Sequence, residues 1–125
     1  MVTPCGVTAD RRQSGIQAEE RAAQHLLQAG CTILARNFRC RAGEIDIVAR
    51  RAQILIIAEV RLRTNQNFGG AAASITRIKR TRIVRTTSYL LTCRPGLAKL
   101  LVRFDTLLLT GTDGPIEWIE GAFNQ

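Results

Sequence analysis

Three acids stand inside otherwise apolar segments: Glu44 and Asp46 in Gly43-Glu44-Ile45-Asp46-Ile47-Val48, and Glu59 in Glu59-Val60-Arg61, thirteen residues after Asp46. An acid inside a strand is costly to bury unless a positive group neutralises it. A divalent metal ion and an arginine both qualify, and the choice separates an enzyme from a binding protein. Two carboxylates with a main-chain carbonyl, such as that of Val60, suit Mg²⁺ (or Mn²⁺), which takes oxygen ligands and keeps several waters. Such an ion lowers the pKa of a bound water and offsets charge on a phosphodiester in the transition state.

For this to work the two segments must be neighbouring strands with matching faces. Along a strand, Glu44 and Asp46 share one face and Ile45 and Ile47 the other; in the next, Ile57, Glu59, Arg61 and Arg63 share a face. A connection of two residues (Arg51-Ala52) or four (Arg50 to Gln53) pairs Asp46 with Ile57 and sets Glu59 one diagonal away on the same side. A three-residue loop or a bulge sends the acids to opposite faces. The parity of one short turn therefore decides whether they meet.

The remaining elements follow from pattern. Residues 1–13 form a polar arm holding Pro4 and Gly6, and residues 14–125 form one domain. Ser14-Gly15-Ile16-Gln17 fits a capping box, opening a helix to about Ala29 that stops at Gly30. Ile16, Ala22, Ala23, Leu26 and Leu27 share its apolar face, which leaves His25 on the solvated side. Glu19 falls inside the apolar arc. It is either an acid reaching back to water near the helix start, where the dipole favours it, or one turned inward to a basic or metal-bearing centre. Strands are expected at Cys31–Arg39, Gly43–Ala49 and Ile54–Arg63. After the loop residues Asn65 to Gly70, a helix runs from Ala71 to about Thr92, with Ile75, Ile78, Val84, Leu90 and Leu91 as apolar points. Strands at Leu100–Leu109 and Ile116–Glu120 complete a mixed α/β domain, one sheet with a helix on either side, in the order α-β-β-β-α-β.

Sixteen arginines and two lysines (Lys79 and Lys99) give a net charge of +8 and a pI near 10.6. Between Val60 and Phe104 there are ten basic residues and no acid. Such a field attracts polyanions, and nucleic acid, DNA in the first place, is the expected partner. Arg63, Arg77, Lys79, Arg80 and Arg82 are the candidate phosphate contacts. The helix that carries most of them could instead lie on a membrane surface, but its apolar stripe is thin and holds no tryptophan. Four scattered cysteines without a CxxC pair argue for reduced, packed thiols and against zinc. No apolar run spans a bilayer and no signal peptide is apparent, so a cytoplasmic location is expected.

Asp46 followed after thirteen residues by Glu59-Val60-Arg61 resembles the PD-(D/E)XK nuclease signature, with its restriction-endonuclease-like α-β-β-β-α-β core. More closely, the chain resembles the YraN-like family of proposed endonucleases, distantly akin to archaeal Holliday junction resolvases. The likeness runs through Gly15, Glu19 and Ala22, Ala35-Arg36-Asn37-Phe38, and Gly43-Glu44-Ile45-Asp46. It continues through Glu59-Val60-Arg61-Leu62-Arg63, Lys79, Arg103-Phe104-Asp105 and Ile119-Glu120-Gly121-Ala122-Phe123. It implies Asp46 and Glu59 as ligands of Mg²⁺ or Mn²⁺, Glu19 as an inward-facing accessory acid, and an endonuclease acting on branched or structured DNA. Glu44 then contacts metal-bound water or pairs with Arg36 or Arg39. Related resolvases are dimers, so a homodimer is expected.

One departure matters: the family signature ends in lysine, and this chain has Arg61. Arginine stays protonated, which excludes a general-base role. Its charge can still stabilise the transition state, or Lys79 can reach in. Alternatively Arg61 pairs with Glu59 or Asp46 in the metal's place, leaving a nucleic-acid-binding protein without catalysis.

Overall fold

The computed structural model describes residues 9–63, 75–111 and 113–123, with side chains from Gly15 onward. The expected loop over 65–70, the helix start at Ala71 and most of the N-terminal arm lie outside these residues. The elements are α1 (Ala9–Gln28), β1 (Thr32–Cys40), β2 (Gly43–Arg51), β3 (Ile54–Arg63), α2 (Arg77–Cys93), a 3-10 turn (Pro95–Lys99), β4 (Leu101–Thr110) and β5 (Ile116–Phe123). They form one mixed five-stranded sheet in sequence order, consistent with the restriction-endonuclease-like core. All neighbours are antiparallel except β3 and β4. A parallel pair needs a crossover, and α2 lies on it.

Each face of the sheet has its own core. Ala18, Ala22, Ala23 and Leu26 of α1 pack with Ile47, Ala49, Ile56, Ala58, Leu107 and Leu109. Ile83 and Leu90 of α2 pack with Ile45, Val48, Leu55, Ile57 and Phe104 on the other side. Helix α1 begins at Ala9, ahead of the expected Ser14 cap, and its buried stripe is narrower than the helical wheel suggests. Ile16 and Leu27 are exposed, because the small residues Ala18, Ala22 and Ala23 let the helix sit close to the sheet on a narrow line. His25 is not simply solvated; it meets the Trp118 ring edge-on, centroids 6.0 Å apart. Helix α2 starts at Arg77, with the Thr76 hydroxyl accepting from the Lys79 N–H as its cap. Ile78, expected on the apolar side, is exposed, and Ile83, Thr86, Thr87 and Leu90 make the buried stripe instead.

The turn between β2 and β3 is the two-residue Ala52–Gln53, since Arg51 pairs with Ile54. Ala52 takes φ +55°, and the Arg50 Nε–H donates to its carbonyl at 2.9 Å. The turn falls one residue later than Arg51-Ala52, so the register moves by two and the parity is kept. Val48, not Asp46, pairs with Ile57, and the ladder ends at Ile47 and Ala58, one residue short of Asp46 and Glu59.

Strict alternation along β2 does not hold. Ile45 packs on the α2 side of the sheet and Ile47 on the α1 side, although they stand two residues apart. Asp46 lies between them. Across the sheet, β1 pairs Arg36 with Ile47 and Phe38 with Ile45, and Asn37 between them takes φ +53°. Both strands change face at this step, and the ladder from β2 to β3 ends beside it, at Ile47 and Ala58.

Candidate functional site

The face change places Asp46 where two layers meet. With its strand no longer laddered to β3, the carboxylate itself accepts the free Val60 N–H at 2.8 Å. Glu59 lies on the α2 side of β3, is 7% exposed, and its Oε2 is 2.6 Å from Lys79 Nζ. Glu19 is half-buried on α1, between the buried Ala18 and Ala22. Glu44 pairs with Arg39 at 3.0 Å, one of the two arginine partners expected for it. The other, Arg36, pairs at 2.8 Å with Glu20, whose carboxyl is held below its usual range by that hydrogen bond.

The electrostatics of Asp46 are unusual. Burial, and after it the charge of Glu59, push its carboxyl up to about 7 against the single opposing hydrogen bond from Val60, and Glu19 and Glu44 add to the rise. Four acids thus gather within electrostatic reach of one point, and the cation paired with one of the two central acids is Lys79. Glu59, Glu19 and Glu44, the other acids singled out in the sequence, all lie within electrostatic reach of Asp46.

A groove of about 610 Å³ opens beside this point, between the β1–β2 hairpin and α2. Arg39, Glu44, Thr76, Ile78, Lys79 and Arg82 are among its lining residues. The hairpin tip rests on α2 at Gly43, where an added Cβ would lie 3.2 Å from Thr86 Oγ1 and 3.3 Å from Arg82 Cβ. Glycine is what lets the two walls approach so closely. Arg77 is exposed on the first turn of α2. Arg63 faces the other way along the sheet, toward Glu117 at 3.5 Å, outside this groove. Arg61 is half-buried two residues beyond Glu59.

Three buried polar atoms have no hydrogen-bond partner among the described residues: Arg63 Nε, Arg80 Nε and Thr106 Oγ1. Thr106 is fully buried and pairs with Glu59 in the β3–β4 ladder. All three belong to α2 or to the face of the sheet it covers.

The donors fit a hard cation only with help. Asp46 and Glu59 are oxygen ligands of the right chemistry, and a cation there would relieve the repulsion that raises the Asp46 carboxyl. Among the described residues no group of three or more Asp, Glu, His or Cys side chains could hold an ion. Protein ligation would therefore rest on two carboxylates and a main-chain oxygen, with water or phosphate completing the shell. Mg²⁺ is commonly held in this way.

Comparison with known proteins places the chain. The model described as "Uncharacterised protein family UPF0102" matches residues 18–109. The chain belongs to the UPF0102 family. A UPF0102 protein of Saccharophagus degradans is 45% identical over 115 residues, covering 92% of this chain and 96% of its own. One from Nitrosomonas europaea is 43% identical over 112 residues, and one from Legionella pneumophila is 36% identical over 113, covering 93% and 96% of their own lengths. The UPF0102 span takes in Glu19, Glu44, Asp46, Glu59, Arg61 and Lys79 and ends within β4.

One constellation in this UPF0102 chain escaped the reading of residue types. Asp105 is fully buried and accepts from Arg103 Nε and Nη2 at 2.9 Å each, Trp118 Nε1 at 2.8 Å and the Gly121 N–H at 3.0 Å. Gly121 has φ +62° and lies opposite a register shift between Phe104 and Thr106. The available signal was Arg-x-Asp on one strand face, but its acceptor role depends on β5, which only folding brings near.

Proposed function

We propose that the protein is a metal-dependent endonuclease that hydrolyses phosphodiesters in DNA, branched or structured DNA among them. The observation that carries this reading is Asp46: a half-buried carboxyl pushed up to about 7 by burial and the charge of Glu59, with its neighbour Glu44 and the Glu59 partner Lys79 both lining a basic groove. Asp46 and Glu59, with the main-chain carbonyl of Val60, would hold Mg²⁺ or Mn²⁺. The ion, when bound, supplies an activated water and offsets charge on the phosphate. Glu19 reinforces the negative field behind Asp46. Arg61 remains protonated and serves as a phosphate contact, not as a base. Arg39, Arg77, Lys79, Arg80 and Arg82 would hold the backbone along the groove and the α2 N-terminus. Arg63, turned toward Glu117, contributes at a distance. A reducing cytoplasm suits the free Cys31, Cys40 and Cys93, and a homodimer would use an open sheet edge, β1 or β5.

The test is cleavage of supercoiled, linear and branched DNA with Mg²⁺ or Mn²⁺. Asp46→Ala and Glu59→Ala should each abolish nicking, and failure to cleave any DNA form with either metal refutes the reading. Arg61 in place of lysine, with only two clustered ligands, favours a second reading: a nucleic-acid-binding protein that has lost catalysis. It predicts steeply salt-dependent binding that survives loss of either acid. A gain of cleavage in Arg61→Lys would show that only the chemistry had been lost.

A further inference from the structure

Lys79 holds two positions at once. Its ammonium is 2.6 Å from a carboxylate that is almost fully buried, yet half of its own side chain is exposed and lines the groove. It also sits in the first turn of α2, where the helix dipole favours acids, and no acid is present there; Arg77 and Arg80 share the same turn. Neighbouring cations and the dipole both push its charge away from the helix end, and Glu59 is the acid that holds it. A second cation arriving at Glu59 would remove the reason for that pairing.

We propose that Lys79 is a metal-released phosphate ligand. Without a divalent ion its ammonium neutralises Glu59. When an ion takes the Glu59 carboxylate, the ammonium turns by side-chain rotation into the groove and meets a phosphate of the nucleic acid. The inference rests on the endonuclease reading of the same site and adds to it a coupling between metal and substrate. Lys79 thereby adds a phosphate-contacting cation to the site where Arg61 replaces the signature lysine. Reciprocity follows: metal strengthens phosphate binding, and the polyanion, by drawing Lys79 away, strengthens metal binding.

The experiment measures binding of a short fluorescent oligonucleotide against salt concentration, in EDTA and in Ca²⁺ at matched ionic strength. For the wild-type chain the slope of log K against log salt should steepen by about one phosphate contact when Ca²⁺ is present. Lys79→Met should show the same slope in both conditions, and its Mn²⁺ affinity by calorimetry without DNA should exceed wild type, since the competing cation is gone. Lys79→Gln serves if the methionine variant does not fold. A metal-dependent slope that persists in either variant, or a wild-type slope unchanged by Ca²⁺, overturns the inference. A wild-type chain that binds no nucleic acid in either buffer overturns it together with the proposed function, whereas metal-dependent cleavage with a persisting slope overturns the inference alone.

Discussion

Two aspartates in one sheet have opposite fates. Asp105 on β4 is wholly buried, and its two oxygens receive four donors: two from Arg103, one from Trp118, one from Gly121. Around it Arg103 also reaches Glu120 at 3.5 Å, and the Arg51 guanidinium lies 5.4 Å over the Trp118 ring. Asp46 on β2 is less buried; it accepts from the Val60 N–H and has three acids in reach. Burial alone therefore does not decide how an acid is charged. Compensation does. Asp105 is a finished network that ties β5 to the sheet, and the Asp46 carboxyl is raised by burial and neighbouring acids.

The contrast predicts opposite responses to neutralisation. The largest effect belongs to Asp105→Ala, which strands Arg103, Trp118 and the Gly121 N–H. It should cost about 3–5 kcal/mol in urea unfolding, as breaking a buried ion pair does. A loss under about 1 kcal/mol would mean that the network adds little to the fold.

Asp46→Asn should instead stabilise the metal-free protein at pH 8. The folded carboxyl is raised, so between the unfolded value near 3.9 and about 7 the folded state holds more protons than the unfolded one. This contribution is fully present below about pH 4 and is lost as pH rises through about 7. A rise of that size corresponds to at most about 4 kcal/mol. Wild-type stability in EDTA should fall over that window, and the asparagine variant should lack that fall. Equal pH profiles for the two would contradict the picture of an uncompensated acid.

Added Mn²⁺ should then raise the melting temperature of the wild type at pH 8 and much less at pH 5, where the proton already occupies Asp46. The same addition should leave Asp46→Asn nearly unchanged, and an equal rise in both would place the ion elsewhere. The smallest effect should come from Glu44→Gln. Its partner Arg39 is exposed, and such pairs contribute roughly 0–1 kcal/mol. A larger loss would mark Glu44 as part of the centre and not of the rim.

Much was legible in the chain. The element order and the full span of β3 from Ile54 to Arg63 follow from apolar periodicity and caps, which act over a few residues. The two-residue turn keeps the expected parity, but its register is two residues off and alternation fails at Asp46, so the nearness of Asp46 to Glu59 also depends on the face change. Three things did not follow. Alternation predicts Ile45 and Ile47 on one face, and they occupy two, at the step where Asn37 of the neighbouring strand takes a left-handed conformation. Residue types leave the partner of Glu59 open between a metal and Arg61; packing of α2 on the sheet brings Lys79 to it instead. The fates of Asp46 and Asp105 look alike in sequence, an acid within an apolar strand each time. Local sequence fixes which residues form strands and helices, because those preferences are short-ranged. The charge state of a buried acid is set by donors from elements far apart in the chain, and only the tertiary structure decides which of them arrive.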